Sequence, residues 1–66
     1  MNLVLNGEKR NVPSIGTVSE LLEELNLAAG TVLVEQNGEV VTRARFAEAK
    51  LAEGDKIEIV RVVAGG

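Results

Sequence analysis

Short stretches near both ends of this chain are rich in apolar residues, which predicts β-strands there. Leu3-Val4-Leu5 leads into Asn6-Gly7, a dipeptide that accepts the positive φ angles of a tight hairpin turn. The chain then returns as a second strand over residues 9–12. Because successive side chains of a strand point to opposite faces, Val4 is expected on the face opposite to Leu3 and Leu5.

A helical spacing of apolar residues follows the first hairpin. Thr17-Val18-Ser19-Glu20 is a capping box, in which Thr17 caps the first amides of a helix and Glu20 reaches back to it. One apolar stripe at positions i, i+3, i+4 and i+7 then faces the core, formed by Val18, Leu21, Leu22 and Leu25. Asn26 and then Ala28-Ala29-Gly30 predict the end of the helix after about three turns.

A second Asn-Gly turn marks another hairpin in the middle of the chain. We expect a strand over residues 31–36, a turn at Asn37-Gly38 and a short strand at Glu39-Val40-Val41. Residues 42–50 permit a helical turn, with Phe46 in the core. Arg43 and Arg45 have two interpretations, contact with an anionic ligand or partner and an ordinary solvated surface.

The last predicted strand starts at Ile57, where Ile57 and Ile59 alternate with Glu58. We expect both isoleucines to be buried against the helical stripe, close to Leu3, Leu5 and Phe46. The same alternation turns Val60 and Val62 to the opposite face, together with Val4. Exposed valines beside the end of the chain predict a partner-binding surface, which we assign to Val4, Val60, Arg61, Val62 and Val63.

These elements predict an α+β fold of the β-grasp, ubiquitin-like type. The single helix needs a sheet to cover it, and the apolar first and last strands are expected at the centre of that mixed sheet. We expect one domain over residues 1–66, ending in a flexible tail over residues 64–66. Ala64, Gly65 and Gly66 offer almost no side chain to pack, so the tail is predicted to be mobile and to present the carboxylate of Gly66.

Composition excludes several kinds of function. The chain has no His, Cys, Tyr or Trp, so the usual nucleophiles, neutral-pH bases and soft metal ligands are missing, and no metal or bound cofactor is expected. Its net charge is −3 and it has one aromatic residue, which argue against nucleic-acid binding. No apolar run suits a membrane span or a signal peptide, and a cytoplasmic location is expected. Any chemistry is therefore expected at the terminal carboxylate and to be performed by another protein.

Along its whole length the chain resembles the ThiS-type sulfur carriers of bacterial thiamine biosynthesis. The pieces that carry this resemblance are Leu5-Asn6-Gly7-Glu8, residues 17–22, residues 34–41, residues 51–60 and Val63-Ala64-Gly65-Gly66. Their order and spacing are specific to the family, although each piece alone is not. Thr42 stands where many members have proline, which leaves the role of the following basic loop unassigned.

The resemblance implies a mechanism. An activating enzyme of the E1-like type uses ATP to adenylate the carboxylate of Gly66, and a persulfide sulfur then replaces the nucleotide to give a thiocarboxylate. Ala64, Gly65 and Gly66 would thread into the active site of that enzyme, and a thiazole synthase would receive the sulfur. The protein is then a carrier and not itself an enzyme.

Two alternatives stay open at this point. The small subunit of molybdopterin synthase has the same fold, tail and activation, but its members usually carry prolines shortly before the tail, and Arg61-Val62-Val63-Ala64 has none. A β-grasp interaction module with incidental glycines is the second alternative.

Overall fold

A computed structural model describes residues 1–62 as one mixed five-stranded sheet packed on a single α-helix. Strand order is β2-β1-β5-β3-β4, in which β1 and β5 are parallel and the other neighbours are antiparallel. The elements are β1 (Asn2–Leu5), β2 (Glu8–Asn11), α1 (Val18–Glu24), β3 (Val32–Gln36), β4 (Glu39–Val41) and β5 (Lys56–Arg61), with 3₁₀ turns at Ala29–Thr31 and Arg43–Arg45. This is the predicted β-grasp fold, with the first and last strands inside the sheet. The predictions for Val63 and for the tail over residues 64–66 lie outside the described residues.

Both predicted hairpins are present, and both turns use left-handed backbone. Asn6 and Gly7 have φ angles of 49° and 83°, and Asn37 and Gly38 have φ angles of 52° and 85°. Asparagine and glycine tolerate these conformations better than other residues do, which is why the dipeptide predicts the turn. Each turn fixes the register of its two strands.

The capping box of α1 is also confirmed. The backbone N–H of Glu20 donates to Oγ1 of Thr17 over 3.3 Å, and the N–H of Thr17 donates to Oε1 of Glu20 over 3.0 Å. The N–H of Gly16 donates to the same carboxylate oxygen over 3.0 Å. Three backbone donors at the helix start are thus satisfied by two side chains.

The helix is shorter than the three turns that its sequence predicts. It ends at Glu24 after two turns, because Asn26 adopts a left-handed φ of 58°. The N–H of Asn26 then donates to the carbonyl of Glu23 over 3.0 Å, and the N–H of Leu27 donates to that of Leu22 over 2.8 Å. This pair of bonds is a Schellman motif, which closes the helix and turns Leu27 back against the core. Of the predicted stop residues, Asn26 alone therefore ends the helix.

The third strand begins one residue later than predicted. Thr31 closes the preceding 3₁₀ turn, since its N–H and its Oγ1 both donate to the carbonyl of Ala28, over 3.0 Å and 2.7 Å. The strand follows at Val32.

None of the helices within residues 1–62 is long and apolar enough to cross a bilayer.

One face of the sheet and the apolar stripe of α1 form the core. Ile57 is fully buried and Ile59 is half-buried against the core, so the predicted burial holds fully only for Ile57. Leu25 at the end of the helical stripe is also only partly buried. The buried set is Leu3, Leu5, Val12, Ile15, Val18, Leu21, Leu22, Val32, Val34, Phe46, Leu51 and Ile57. Phe46 is 3% exposed, which confirms its predicted place.

The carboxylate of Asp55 fixes the backbone at the start of β5. Oδ2 of Asp55 accepts from Nε2 of Gln36 and from the N–H of Ala52, both over 2.9 Å, and Oδ1 accepts from Nδ2 of Asn37 over 3.0 Å. Burial raises the pKa of Asp55, but the bonds from Asn37, Gln36 and Ala52 together outweigh it and leave the pKa below its ordinary value. The ionised side chain therefore ties the second hairpin turn to the start of β5.

Candidate functional site

The candidate site lies where β5 leads towards the end of the chain, and that strand is held on both sides. On one side it pairs with β3 from Gln36↔Ile57 to Val32↔Arg61, and the N–H of Val62 extends the ladder by donating to the carbonyl of Thr31 over 2.8 Å. On the other side, the side chain of Asn6 prolongs the β1 pairing. Its Oδ1 accepts from the N–H of Ile59 over 2.8 Å, and its Nδ2 donates to the carbonyl of Ile59 over 3.3 Å. The described end of β5 is therefore a fixed point from which residues 63–66 continue.

The sheet face opposite α1 is left uncovered by the described residues, and its most apolar feature is one cross-strand pair. Leu33 of β3 lies directly opposite Val60 of β5. Their side chains are 58% and 56% exposed, although both are large and apolar. We call Leu33 and Val60 the apolar pair. A pair of this kind in the middle of a sheet is unusual for a solvated surface and suits contact with another protein.

Two further predicted partner-binding residues share this uncovered face with Val60, at different distances from it. Val62 follows two residues later on the same side of β5 and is 43% exposed. Val4 is half-buried and pairs with Lys56, which places it on the same face. Lys56 precedes Val60 by four residues, however, so Val4 lies about 13 Å away along the strand direction. The structure therefore brings Val60 and Val62 together and leaves Val4 apart from them.

Arg61 lies on the helix side of the sheet, because it pairs with the buried Val32. Its side chain is exposed and lines a pocket of about 200 Å³ with Leu5, Asn6, Leu25, Leu27, Val32 and Ile59. Arg61 and the apolar pair thus face opposite sides of the strand. Val63, the remaining predicted contact, lies outside the described residues.

Leu33 is the surface residue that the sequence analysis missed. The strand over residues 31–36 was predicted without a face for each side chain, although its three consecutive apolar residues at 32–34 carry a signal. Strict alternation cannot bury three consecutive residues on a sheet with one covered face. Val34 faces the core and Val32 lies at its edge, so Leu33 has to point outward. Val40 is a second exposed apolar residue of this face, 68% exposed and paired with Glu35.

Arg43 occupies a defined place close to the end of β5. Its guanidinium lies against Gly30, where an added Cβ would stand 3.0 Å from Nη1 and 3.2 Å from Cζ. Gly30 precedes Thr31, whose carbonyl binds the N–H of Val62. Arg45 is exposed and lines a different pocket, together with Glu48 and Lys50.

The described residues show no catalytic arrangement of their own. Within residues 1–62 there is no group of three or more metal-binding side chains. Two carboxyl groups there have a lowered pKa, and both have structural causes. Asp55 is described above, and the pKa of Glu53 is lowered mainly by the backbone N–H of Asn2, which donates to its two carboxylate oxygens over 3.0 Å and 3.1 Å. What this part of the molecule offers is a surface beside the start of the tail.

Comparison with known proteins identifies the family. The ThiS family model matches residues 3–66. A sulfur carrier protein ThiS from Bacillus subtilis is 41% identical over 51 residues, which cover 77% of each chain. A crystal structure of the thiamine biosynthesis protein ThiS from Geobacter metallireducens superposes with a TM-score of 0.84 at 39% identity and covers all of both chains.

One relative is a longer protein that contains a segment similar to this whole chain. A thiazole synthase from Paramagnetospirillum magneticum is 44% identical over all 66 residues of this chain, which span 20% of that protein. This chain therefore corresponds to about a fifth of the length of that relative. These matches favour thiamine biosynthesis over the molybdopterin alternative. The chain belongs to the ThiS family, the small sulfur carriers of thiamine biosynthesis.

Proposed function

We propose that this chain carries its sulfur as a thiocarboxylate on Gly66, after an adenylating enzyme has activated that carboxylate with ATP. The observation that supports this most is the family match, which runs through Ala64-Gly65-Gly66. A carboxylate is a poor electrophile because its charge is delocalised. Attack of a carboxylate oxygen on the α-phosphate of ATP releases pyrophosphate and gives an acyl adenylate, whose AMP group leaves readily.

A persulfide supplies the sulfur in this proposal. Its outer sulfur attacks the acyl carbon and displaces AMP, which joins the carrier to the donor through an acyl disulfide. A thiol then attacks the donor's sulfur in this bond and releases the thiocarboxylate on Gly66. The sulfur of the thiol and the sulfur of the donor are left joined as a disulfide. The carrier needs no cysteine for these steps, and its sequence has none.

We propose a thiazole synthase as the protein that receives the sulfur. Support comes from the relative named thiazole synthase, a longer protein with one segment similar to this entire chain. Two domains that occur in one polypeptide commonly act on one another. The body of the carrier would be held through the apolar pair and Val62, because the last residues alone bury too little surface to bind a partner well.

Intact mass spectrometry tests the sulfur-carrier step. Protein incubated with the adenylating enzyme, ATP and a persulfide donor should gain the mass difference of one oxygen exchanged for sulfur. Oxidation of Met1, the only methionine, changes the mass by nearly the same amount. Fragmentation must therefore place the change at Gly66. A thiol-reactive label gives a second readout, because without cysteine only the thiocarboxylate should react.

Two variants act as controls for that experiment. Deletion of Gly66, or extension by one residue, should abolish both the mass change and the label. If unmodified protein is never converted, or if the extended protein is converted at the same rate, the proposed role of Gly66 is wrong. Capture of partners on a tagged chain then separates thiazole synthase from a molybdopterin synthase subunit.

A further inference from the structure

Two carboxylates of like charge lie directly opposite each other beside the apolar pair. The register of β3 and β5 pairs Glu35 with Glu58, two residues along from Leu33↔Val60 and on the same uncovered face. Directly opposite side chains on a sheet have Cβ atoms about 4.5–5.5 Å apart, and like charges in that position are destabilising. We call Glu35 and Glu58 the acidic pair.

Three other carboxylates of this protein are engaged by the fold, and those of the acidic pair are not. Those of Glu20, Glu53 and Asp55 accept hydrogen bonds from backbone or side-chain amides. Within residues 1–62, neither carboxylate of the acidic pair has a hydrogen-bond or ion-pair partner. Neutral or oppositely charged residues at these two positions would relieve the repulsion without touching the core. The pair is therefore unfavourable for the isolated fold.

The nearest cation on the same face does not neutralise the acidic pair directly. Lys56 lies on β5 two residues before Glu58, and it stands diagonally to Glu35 across the strand pair. Diagonal neighbours are about 7–8 Å apart, and no ion pair forms between them in the structure. Lys56 weakens the negative potential of the acidic pair on the side away from the apolar pair. On the side towards the apolar pair, no cation among the described residues reduces that potential.

We propose that the acidic pair receives an arginine or lysine side chain of the adenylating enzyme, next to an apolar contact on Leu33 and Val60. This inference rests on the proposed function, because it names the chemistry with which that enzyme holds the carrier. An arginine is well suited, since its planar group can donate to two carboxylates at once. The matching surface has an apolar centre with a basic side chain at its edge, and the repulsion present in the free carrier is relieved on binding.

Kinetics of adenylation can separate this role from a role in the fold. In the double variant Glu35→Gln/Glu58→Gln, the KM for the carrier should rise about fivefold at low salt, and kcat should stay unchanged because the reacting end is intact. High salt should raise the KM of the unmodified carrier more than that of the variant. The melting temperature should stay the same or increase, because the repulsion has been removed.

Two further variants provide matched controls. Glu23→Gln/Glu24→Gln makes the same change of charge on the exposed side of α1 and should leave the KM within about twofold of the starting value. Lys56→Gln removes a positive charge from the uncovered face and should lower the KM. Effects of opposite sign on one face would support a basic group in the partner.

The outcomes separate the two proposals. If the unmodified carrier is adenylated and the acidic-pair variant has the KM of the α1 control, the acidic pair does not contact the enzyme and this inference is wrong. A raised KM accompanied by a lower melting temperature would also contradict it, because the pair would then support the fold. No adenylation of the unmodified carrier would overturn the proposed function and this inference together.

Discussion

The guanidinium of Arg43 lies so close to the backbone of Gly30 that a Cβ added there would stand 3.0 Å from Nη1 and 3.3 Å from Nη2. Gly30 has no positive φ, so its backbone conformation is open to other residues. The position of a flexible side chain, and not backbone strain, is therefore what an added methyl group would meet.

This contact predicts a small and conditional effect of Gly30→Ala. The substitution reduces the entropy of the unfolded chain, which is worth about 0.4–1 kcal/mol where the backbone is compatible. Arg43 has to move to admit the methyl group, so the gain in unfolding free energy should be smaller than that. In an Arg43→Ala background the full gain should return. Urea unfolding of the four proteins in this double-mutant cycle measures the difference, and equal gains in both backgrounds would show that the contact has no energetic weight.

Val60→Ser should weaken partner binding without weakening the fold. Val60 is 56% exposed, so the loss in unfolding free energy should stay within about 0.5 kcal/mol. Burial of one valine side chain by a partner is worth about 1.5 kcal/mol, so affinity for the two proposed partners, an adenylating enzyme and a thiazole synthase, should fall about tenfold. Calorimetry measures the binding, and Leu33→Ser should behave in the same way.

Ile57→Ala is the matched core control for these two surface changes. Ile57 is fully buried on the same strand, so its truncation should cost about 2–5 kcal/mol of unfolding free energy. Equal binding by Val60→Ser and the starting protein would place the partner surface elsewhere. A large loss of stability in Val60→Ser would assign that residue to the core.

The capping box predicts a difference between two threonines. Thr17→Ala removes the oxygen that accepts from the N–H of Glu20 and should cost about 1 kcal/mol of unfolding free energy. Thr42 stands at the corresponding position before the 3₁₀ turn Arg43–Arg45 but makes no side-chain cap bond. Thr42→Ala should therefore change the stability by less than about 0.5 kcal/mol. Similar losses in both variants, measured by thermal unfolding, would contradict the capping role.

Asp55 predicts part of the acid sensitivity of the fold. Its pKa is lowered in the folded state, so its stabilising effect is fully present above the ordinary value of 3.8 and is lost as the pH falls through the lower folded-state pKa. Asp55→Asn should cost about 1 kcal/mol at pH 7, since the carboxylate is partly exposed, and nearly nothing at pH 2. Urea unfolding at both pH values checks this. A loss that persists undiminished at pH 2 would exclude ionisation of Asp55 as its cause, and Glu39→Gln is the exposed control.

Local signals in the sequence predicted most of the fold. Two Asn-Gly turns, one capping box and two alternating terminal strands were enough for the β-grasp arrangement, because each acts through nearby residues. The predicted end of the helix was wrong because it, too, was inferred from nearby residues alone. In the sequence Asn26 is the first of several residues that can end a helix. The two bonds of the Schellman motif that make it the actual end depend on where Leu27 packs.

The candidate surface was predicted only in part. Val60 and Val62 follow from alternation along one strand, and the structure brings them together. Leu33 could not be assigned to them, because its neighbour across the sheet depends on the register of two strands that are distant in sequence. The pairing of Glu35 with Glu58 depends on that register as well. Arg61 shows the reverse case, since the alternation that exposes Val60 places the next residue on the opposite face, apart from the other predicted contacts.

The central position of β5 has a consequence for biosynthesis. Within residues 1–62 it is the last element that the ribosome produces, and yet both β1 and β3 pair with it. Until it emerges, the β1–β2 hairpin and the β3–β4 hairpin have no strand between them, and the apolar side of α1 lacks Ile57. Pairing between segments so far apart along the chain is also slow to form. Each newly made molecule therefore cannot complete its sheet until β5 has left the exit tunnel of the ribosome.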